Sequence, residues 1–202
     1  FSQLPWDKRV ARVFCTCFRN REERENPGGH LTSDCRGNLR IIHNEFQDKY
    51  DGLHMRCGTE PEMMWLKRGE DGRPNGGVTK PNCYHIDQFE ELRPTFMKVI
   101  EYSQAMGLDI IQGDHEDAPG QLELNTMYDD VLRNADRLTT YRQICAQVAR
   151  EDGLIACFMS KPFMGVSASG CHHNMSLWRG GKDTVNNLHF DKLPGMAGAF
   201  TY

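Results

Sequence analysis

The chain has 202 residues, 39% hydrophobic and 26% charged, an ordinary globular balance with enough apolar side chains for one sizeable core. Its formal net charge of −4 comes with no basic block, which argues against a nucleic-acid partner. No apolar run approaches the ~20 residues that span a membrane, so no membrane partner is expected.

The eight cysteines, at positions 15, 17, 35, 57, 83, 145, 157 and 171, form no CxxC pair, which excludes a zinc ribbon or a thioredoxin motif. Cys15 and Cys17 could bind a metal in principle. Most of the eight sit inside apolar runs, where a reduced cysteine behaves as a small hydrophobe, and a reducing, cytoplasmic compartment is the expectation. No signal-peptide pattern opens the chain. It begins at Phe1 and stops in the apolar run Phe200-Thr201-Tyr202, so both ends read as cuts through a longer protein.

Taken in order, residues 9–18 alternate well enough for a half-buried strand. The charged run Arg19 to Asn26 and Pro27-Gly28-Gly29 read as a loop. Ser33 or Thr32 is placed to cap a helix over about 34–50, whose Leu39, Ile42, Phe46 and Tyr50 recur at helical spacing and should face the core. Asp51-Gly52 ends it. A short strand Leu53–Cys57 precedes Gly58–Lys67, where Glu60, Glu62, Met64 and Leu66 share one face of an extended chain. Two carboxylates two residues apart on a strand lie ~6–7 Å apart and point the same way. Such a pair is costly without a cationic partner. Pro61 argues for an edge or a bulge, while Met63, Met64, Trp65 and Leu66 argue for burial, and burial favours a ligand role.

Residues 68–81, rich in glycine with Pro74 and Pro81, read as a loop. Asp87 can cap a helix to about 106 with Phe89, Leu92, Phe96, Val99 and Ile100 inward, and Pro94 predicts a kink or a late start. Leu108–Ile111 leads as a strand into a hairpin. The strongest helical pattern covers Tyr128 to Asp152, with Val131, Ala135, Leu138, Tyr141, Ile144, Cys145 and Val148 on one face and Gly153 as its stop. Residues 154–159 read as a buried strand and 161–170 as a loop of small residues. Cys171–Trp178 reads as a strand with His172, Asn174 and Ser176 on one face.

The hairpin at Gly113–Asn125 organises the rest. Pro119-Gly120 is turn chemistry, and the fold-back brings Glu116 and Glu123 together. On the second arm Gln121, Glu123 and Asn125 share a polar face and Leu122 and Leu124 an apolar one. Two carboxylates in one pocket repel unless a cation or a proton lies between them. A solvated hairpin tip is the alternative. With Glu60, Glu62 and His172 added, the set is oxygen-rich with one imidazole, which suits Mg²⁺ or Mn²⁺ over zinc or copper. Four carboxylates exceed the need of one divalent ion, so two or more ions per site are expected. Paired hard cations serve phosphoryl transfer. With neither a Walker A loop nor GxGxxG in the chain, nucleotide binding would run through the metals. Mixed strands and helices with hairpins predict an α+β fold with an antiparallel sheet.

Four ordered motifs carry a resemblance: Gly58-Thr59-Glu60-Pro61-Glu62, His115-Glu116-Asp117-Ala118-Pro119-Gly120-Gln121-Leu122-Glu123, Phe158-Met159-Ser160-Lys161-Pro162-Phe163 and Ser169-Gly170-Cys171-His172-His173-Asn174-Met175-Ser176-Leu177. From about residue 5 to 178 the chain resembles the catalytic domain of the glutamine synthetase superfamily. Within it, the hairpin motif and Ser167-Ala168-Ser169-Gly170 look most like the γ-glutamylmethylamide synthetase and type III glutamine synthetase branch.

That resemblance implies a curved antiparallel sheet with flanking helices. Residues 1–202 would be a partial catalytic domain, without the small N-terminal domain and the C-terminal third. It implies a ligase that phosphorylates the γ-carboxylate of glutamate with ATP and then admits ammonia or methylamine. One ion would be held by Glu62, Glu116 and Glu123, and another by Glu60 and His172 with a later glutamate. Asn174 and Ser176 would lie beside ATP, and Ser167 and Ala168 in the glutamate-binding loop. Homo-oligomers of stacked hexameric rings are implied, commonly dodecamers. No catalytic acid, base or nucleophile is assigned. Many relatives have Asn-Gly at Ser167-Ala168 and a second His at Asn174, departures that bear on glutamate, nucleotide and amine contacts. The competing reading is a non-catalytic structural or regulatory assembly protein of the same fold.

Overall fold

The computed structural model describes residues 2–25, 29–81 and 83–179. Pro27-Gly28 of the first loop and the apolar end Phe200–Tyr202 lie outside them. The described residues fall into two units, one within 2–15 and 57–174 and the other within 16–56 and 175–179.

The larger unit opens with β1 (Ser2–Leu4) paired antiparallel to β2 (Asp7–Arg12). The strand expected over 9–18 is therefore earlier and shorter. Its ladder ends where Arg12 meets Ser2, and residues beyond Arg12 find no further partner in β1.

In the smaller unit, α1 spans Cys35–Lys49, with Asp34 at the N-cap position in place of Ser33 or Thr32. The Asp34 side chain accepts a 3.0 Å bond from Cys17 N, which holds its carboxyl below the ordinary range. The apolar stripe is not a buried one: Gly37 is the helix's buried residue and Ile42 is 63% exposed. Helical periodicity locates an apolar face but says nothing about what covers it.

The hub of the sheet is β3 (His54–Arg68), one 15-residue strand where two were expected. It pairs with β4 (Pro74–Gly77) and, further along the chain, with β6 (Gln121–Thr126), β7 (Asp129–Asp130), β8 (Leu154–Cys157) and β9 (Cys171–Trp178). With β5 (Ile110–His115), which pairs with β6, this makes seven strands among the described residues. Pro61 thus sits in a central, buried strand, not at an edge. The segment expected as a loop at 68–81 contains β4, in register Leu66↔Gly77 and Arg68↔Pro74. Its prolines and glycines are poor strand formers, and sheet context overrides propensity.

Two helices cover one face. α2 (Ile86–Ala105) includes Pro94 in its interior in place of starting late, with His85 rather than Asp87 at its N-cap position. Burial of Leu92, Phe96 and Val99 outweighs the ~3 kcal/mol a mid-helix proline costs. α3 (Val131–Glu151) is capped by Asp130, whose side chain accepts from Leu132 N at 3.0 Å. Tyr141, Ile144, Cys145 and Val148 of α3 join Met63, Trp65, Leu122 and Leu124 of β3 and β6 in one core. Burial pushes the Cys145 thiol up to about 12, so it packs as an inert hydrophobe. All eight cysteines are free. Because Met63 and Trp65 point to the helices, alternation turns Glu60, Glu62 and Met64 to the opposite face. The fold is α+β with an antiparallel sheet, and no described helix is long and apolar enough to cross a membrane.

Candidate active site

The site forms where three strands meet. The β5–β6 hairpin closes at Pro119-Gly120, with Gly120 at φ +69°. A Cβ there would lie 2.3 Å from Trp65 O, so only glycine lets the turn press against β3. Thr79 locks the same turn: its hydroxyl accepts from Gly120 N at 2.7 Å and pairs with His115 Nε2 at 2.6 Å, all buried.

Register then aligns the carboxylates. Asp114 of β5 stands opposite Glu123 of β6, and Glu123 stands opposite Glu62 of β3, one acidic row across three strands. Glu116 follows at the end of the hairpin's first arm, its amide donating to Gln121 O at 2.9 Å. The expected polar face of Gln121, Glu123 and Asn125 is present and all of β6 is buried, while at the tip Ala118 and Gly120 are buried and Asp117 is exposed.

Burial, then the charges of Glu62, Glu123 and Asp114, push the Glu116 carboxyl above its ordinary range. Glu123 is raised by burial first, opposed by a 2.7 Å bond from Asn125 Nδ2 and reinforced by Glu60, Glu62 and Asp114. Cys83 Sγ lies 3.8 Å from Glu116 Oε2, and burial and that carboxylate push its thiol up, so it is no thiolate nucleophile.

A second pairing lies on β3 and β9. His172 Nδ1 is 3.5 Å from Glu60 Oε2, and Asn174 Nδ2 donates to Glu60 Oε1 at 2.7 Å. Gly170 joins the two groups of ligand candidates. Its amide donates to Glu62 Oε2 at 3.0 Å, its carbonyl accepts from Glu62 N at 3.1 Å, and a Cβ on it would lie 2.7 Å from His172 Nε2.

Ser167 donates to Asp117 Oδ2 at the hairpin tip, and Ala168 O accepts from Gln121 Nε2 at 3.0 Å. The 167–168 loop is thereby tied to the acidic hairpin. Ser176 belongs to the smaller unit, where its hydroxyl accepts from Trp178 Nε1 at 2.8 Å.

Among the described residues no three His, Cys, Asp or Glu side chains converge tightly enough to cradle an ion unaided. The donor chemistry nonetheless fits a hard divalent cation. Carboxylate oxygens dominate, Glu116 and Glu123 are raised by burial and by neighbouring negative charge, and Asn125 Oδ1 is buried with no donor among the described residues. Asp114 and Gly170 are not among the candidates the sequence singles out, and Gln121 is placed on the polar face without a role. Counting back two from Glu116 along an extended arm would have found Asp114.

Comparison with known proteins identifies the family. The family described as glutamine synthetase, catalytic domain, matches residues 32–194. A glutamine synthetase of Methanococcus voltae is 33% identical over 196 residues, covering 93% of this chain and 42% of the relative. One from Rhizobium meliloti (strain 1021) is 30% identical over 177 residues, covering 87% and 39%. Among solved structures, a GmaS/ADP complex superposes with a TM-score of 0.71 at 29% identity, over 87% of this chain and 39% of that one. Apo GmaS without ligand gives 0.67 at 30% identity, over 75% and 36%. The chain spans about two fifths of the length of the curated relatives it matches. It belongs to the glutamine synthetase catalytic-domain family.

Proposed function

We propose that the protein containing this chain is an ATP-dependent ligase that forms an amide at the γ-carboxylate of glutamate through γ-glutamyl phosphate, with ammonia or methylamine as acceptor. The observation that carries the reading is the row Asp114–Glu123–Glu62 beside Glu116, on a sheet of this family's fold. Acidic residues gathered on a buried strand are costly unless their job is to hold cations.

Glu62, Glu116 and Glu123 would hold one Mg²⁺ or Mn²⁺, and Glu60 with His172 part of another, two or more ions per site. When bound, the ions offset repulsion between the glutamate carboxylate and the ATP γ-phosphate and neutralise charge developing on the transferred group. The chain's own residues set the stage. The loop at Ser167 and Ala168, anchored to Asp117 and Gln121, would hold glutamate against the acidic row. Asn174, fixed on Glu60, and Ser176 would flank ATP. Glu60's two oxygens face different partners, Asn174 and His172, so on this reading nucleotide and cation contacts would meet on one carboxylate.

We further propose a cytoplasmic homo-oligomer of stacked hexameric rings, in line with its family and its eight free cysteines. The test is turnover by the purified full-length protein. Phosphate release should require glutamate, ATP, a divalent ion and an amine together. No release with ammonia or methylamine would refute the ligase reading. Steady-state comparison of ammonia, methylamine and ethylamine assigns the acceptor.

A further inference from the structure

Gln121 is 1% exposed and engages every polar group it has. Its backbone N–H donates to Ala118 O at 3.0 Å and its carbonyl accepts from Glu116 N at 2.9 Å. Its side-chain Oε1 accepts from Ala118 N at 2.9 Å. A backbone N–H can only donate, so this bond fixes which end of the amide is which. The Nε2 end then lies within reach of three acceptors: Glu62 Oε2 at 2.9 Å, Ala168 O at 3.0 Å and Ser169 Oγ at 3.2 Å. One amide thus touches the carboxylate of β3, the hairpin tip and the 167–169 loop.

The grip on Glu62 is one-sided. Gln121 Nε2 and Gly170 N both donate to Oε2, and among the described residues no hydrogen bond engages Oε1. Oε1 lies on the side of Gly170 where His172 Nε2 also stands, since a Cβ on Gly170 would be 3.0 Å from the one and 2.7 Å from the other. A carboxylate held by one oxygen keeps its orientation while offering the other oxygen to a ligand.

We propose that Gln121 is a positioning residue that couples cation binding at Glu62 to substrate binding at the 167–169 loop. The inference rests on the ligase reading above. Losing its amide loosens both arms at once: Glu62 loses one of its two donors and the loop loses one of its anchors, Asp117 still holding Ser167. Partners of metal-binding groups typically change metal affinity by about ten- to a hundredfold when removed.

Two variants of the full-length protein test it. Gln121→Met keeps the length and removes both ends of the amide. Gln121→Glu keeps the shape and the acceptor for Ala118 N, removes the donor, and so keeps the test available if the first variant fails to fold. Three quantities are measured: Mn²⁺ binding by the signal of the free ion, KM for glutamate against KM for ATP, and amide hydrogen exchange at residues 167–170 in metal-free protein. The expected result is an Mn²⁺ dissociation constant and a glutamate KM that rise together by about tenfold or more. KM for ATP should hold, and exchange at the loop should quicken without metal. A folded variant with wild-type Mn²⁺ affinity and glutamate KM overturns the proposal, as does an equal rise in both KM values, which marks general damage. Failure of the ligase reading shows separately, as a wild-type protein that releases no phosphate.

Discussion

Glu62 and Glu123 stand directly opposite each other on adjacent antiparallel strands, with Asp114 next in the same row. Like charges so placed are destabilising by about 0.2–1 kcal/mol per pair, and burial of Glu123 adds to the cost. The arrangement opposes folding and favours cation binding. Glu123→Gln should therefore raise the metal-free melting temperature by about 1–4 °C while it weakens Mn²⁺ binding. Glu62→Ala and Glu123→Ala should both abolish turnover. Normal activity in either variant would contradict the ligand assignment, and calorimetry with and without Mn²⁺ separates the two effects.

Raised Glu116 and Glu123 carboxyls predict two pH trends of opposite sign. A carboxyl whose folded pKa is raised binds more protons folded than unfolded, so metal-free stability is greater at low pH and falls as pH rises through the raised pKa. The cation needs the ionised form, so Mn²⁺ affinity rises across the same window, just above the ordinary carboxylate range of about 4–4.5. Melting curves with and without Mn²⁺ over that window should converge toward acid and separate toward neutral pH. Parallel curves would mean these carboxylates do not hold the ion.

His172→Ala removes the partner 3.5 Å from Glu60 and leaves the acidic row in place. Its effect should fall on nucleotide affinity and rate, with a smaller change in the tighter Mn²⁺ class. Equilibrium binding of a non-hydrolysable ATP analogue checks this, and unchanged nucleotide affinity and rate would count against the assignment.

Gly170→Ala introduces one methyl 2.7 Å from His172 Nε2 and 3.0 Å from Glu62 Oε1. Either group must give, so Mn²⁺ affinity should drop by about tenfold or more with little loss of melting temperature. A variant with wild-type Mn²⁺ affinity would show that these two side chains have room to move.

Much of this site was legible because strand alternation is strict. A period of two placed Glu60 with Glu62 and Gln121 with Glu123, and both faces stand as expected. The same period puts Asp114 on a face with Glu116, but its place opposite Glu123 depends on hairpin register, which the Pro119-Gly120 turn sets. Gln121 and Gly170 act through distances of about 3 Å to residues 47 to 108 positions away, which no spacing rule encodes. The α1 stripe shows the reverse error, since Ile42 keeps perfect helical spacing and is still exposed. In β4, Gly77 and Pro74 pair with Leu66 and Arg68, and side-chain propensity misreads such a segment as loop.

The most direct test of the central claim is phosphate release by the full-length protein with glutamate, ATP, Mg²⁺ or Mn²⁺ and either ammonia or methylamine, run beside Glu62→Ala. The acidic row acting as a cation site predicts release that needs all four components and disappears in the variant. No release from the wild type, or equal release from Glu62→Ala, would contradict it.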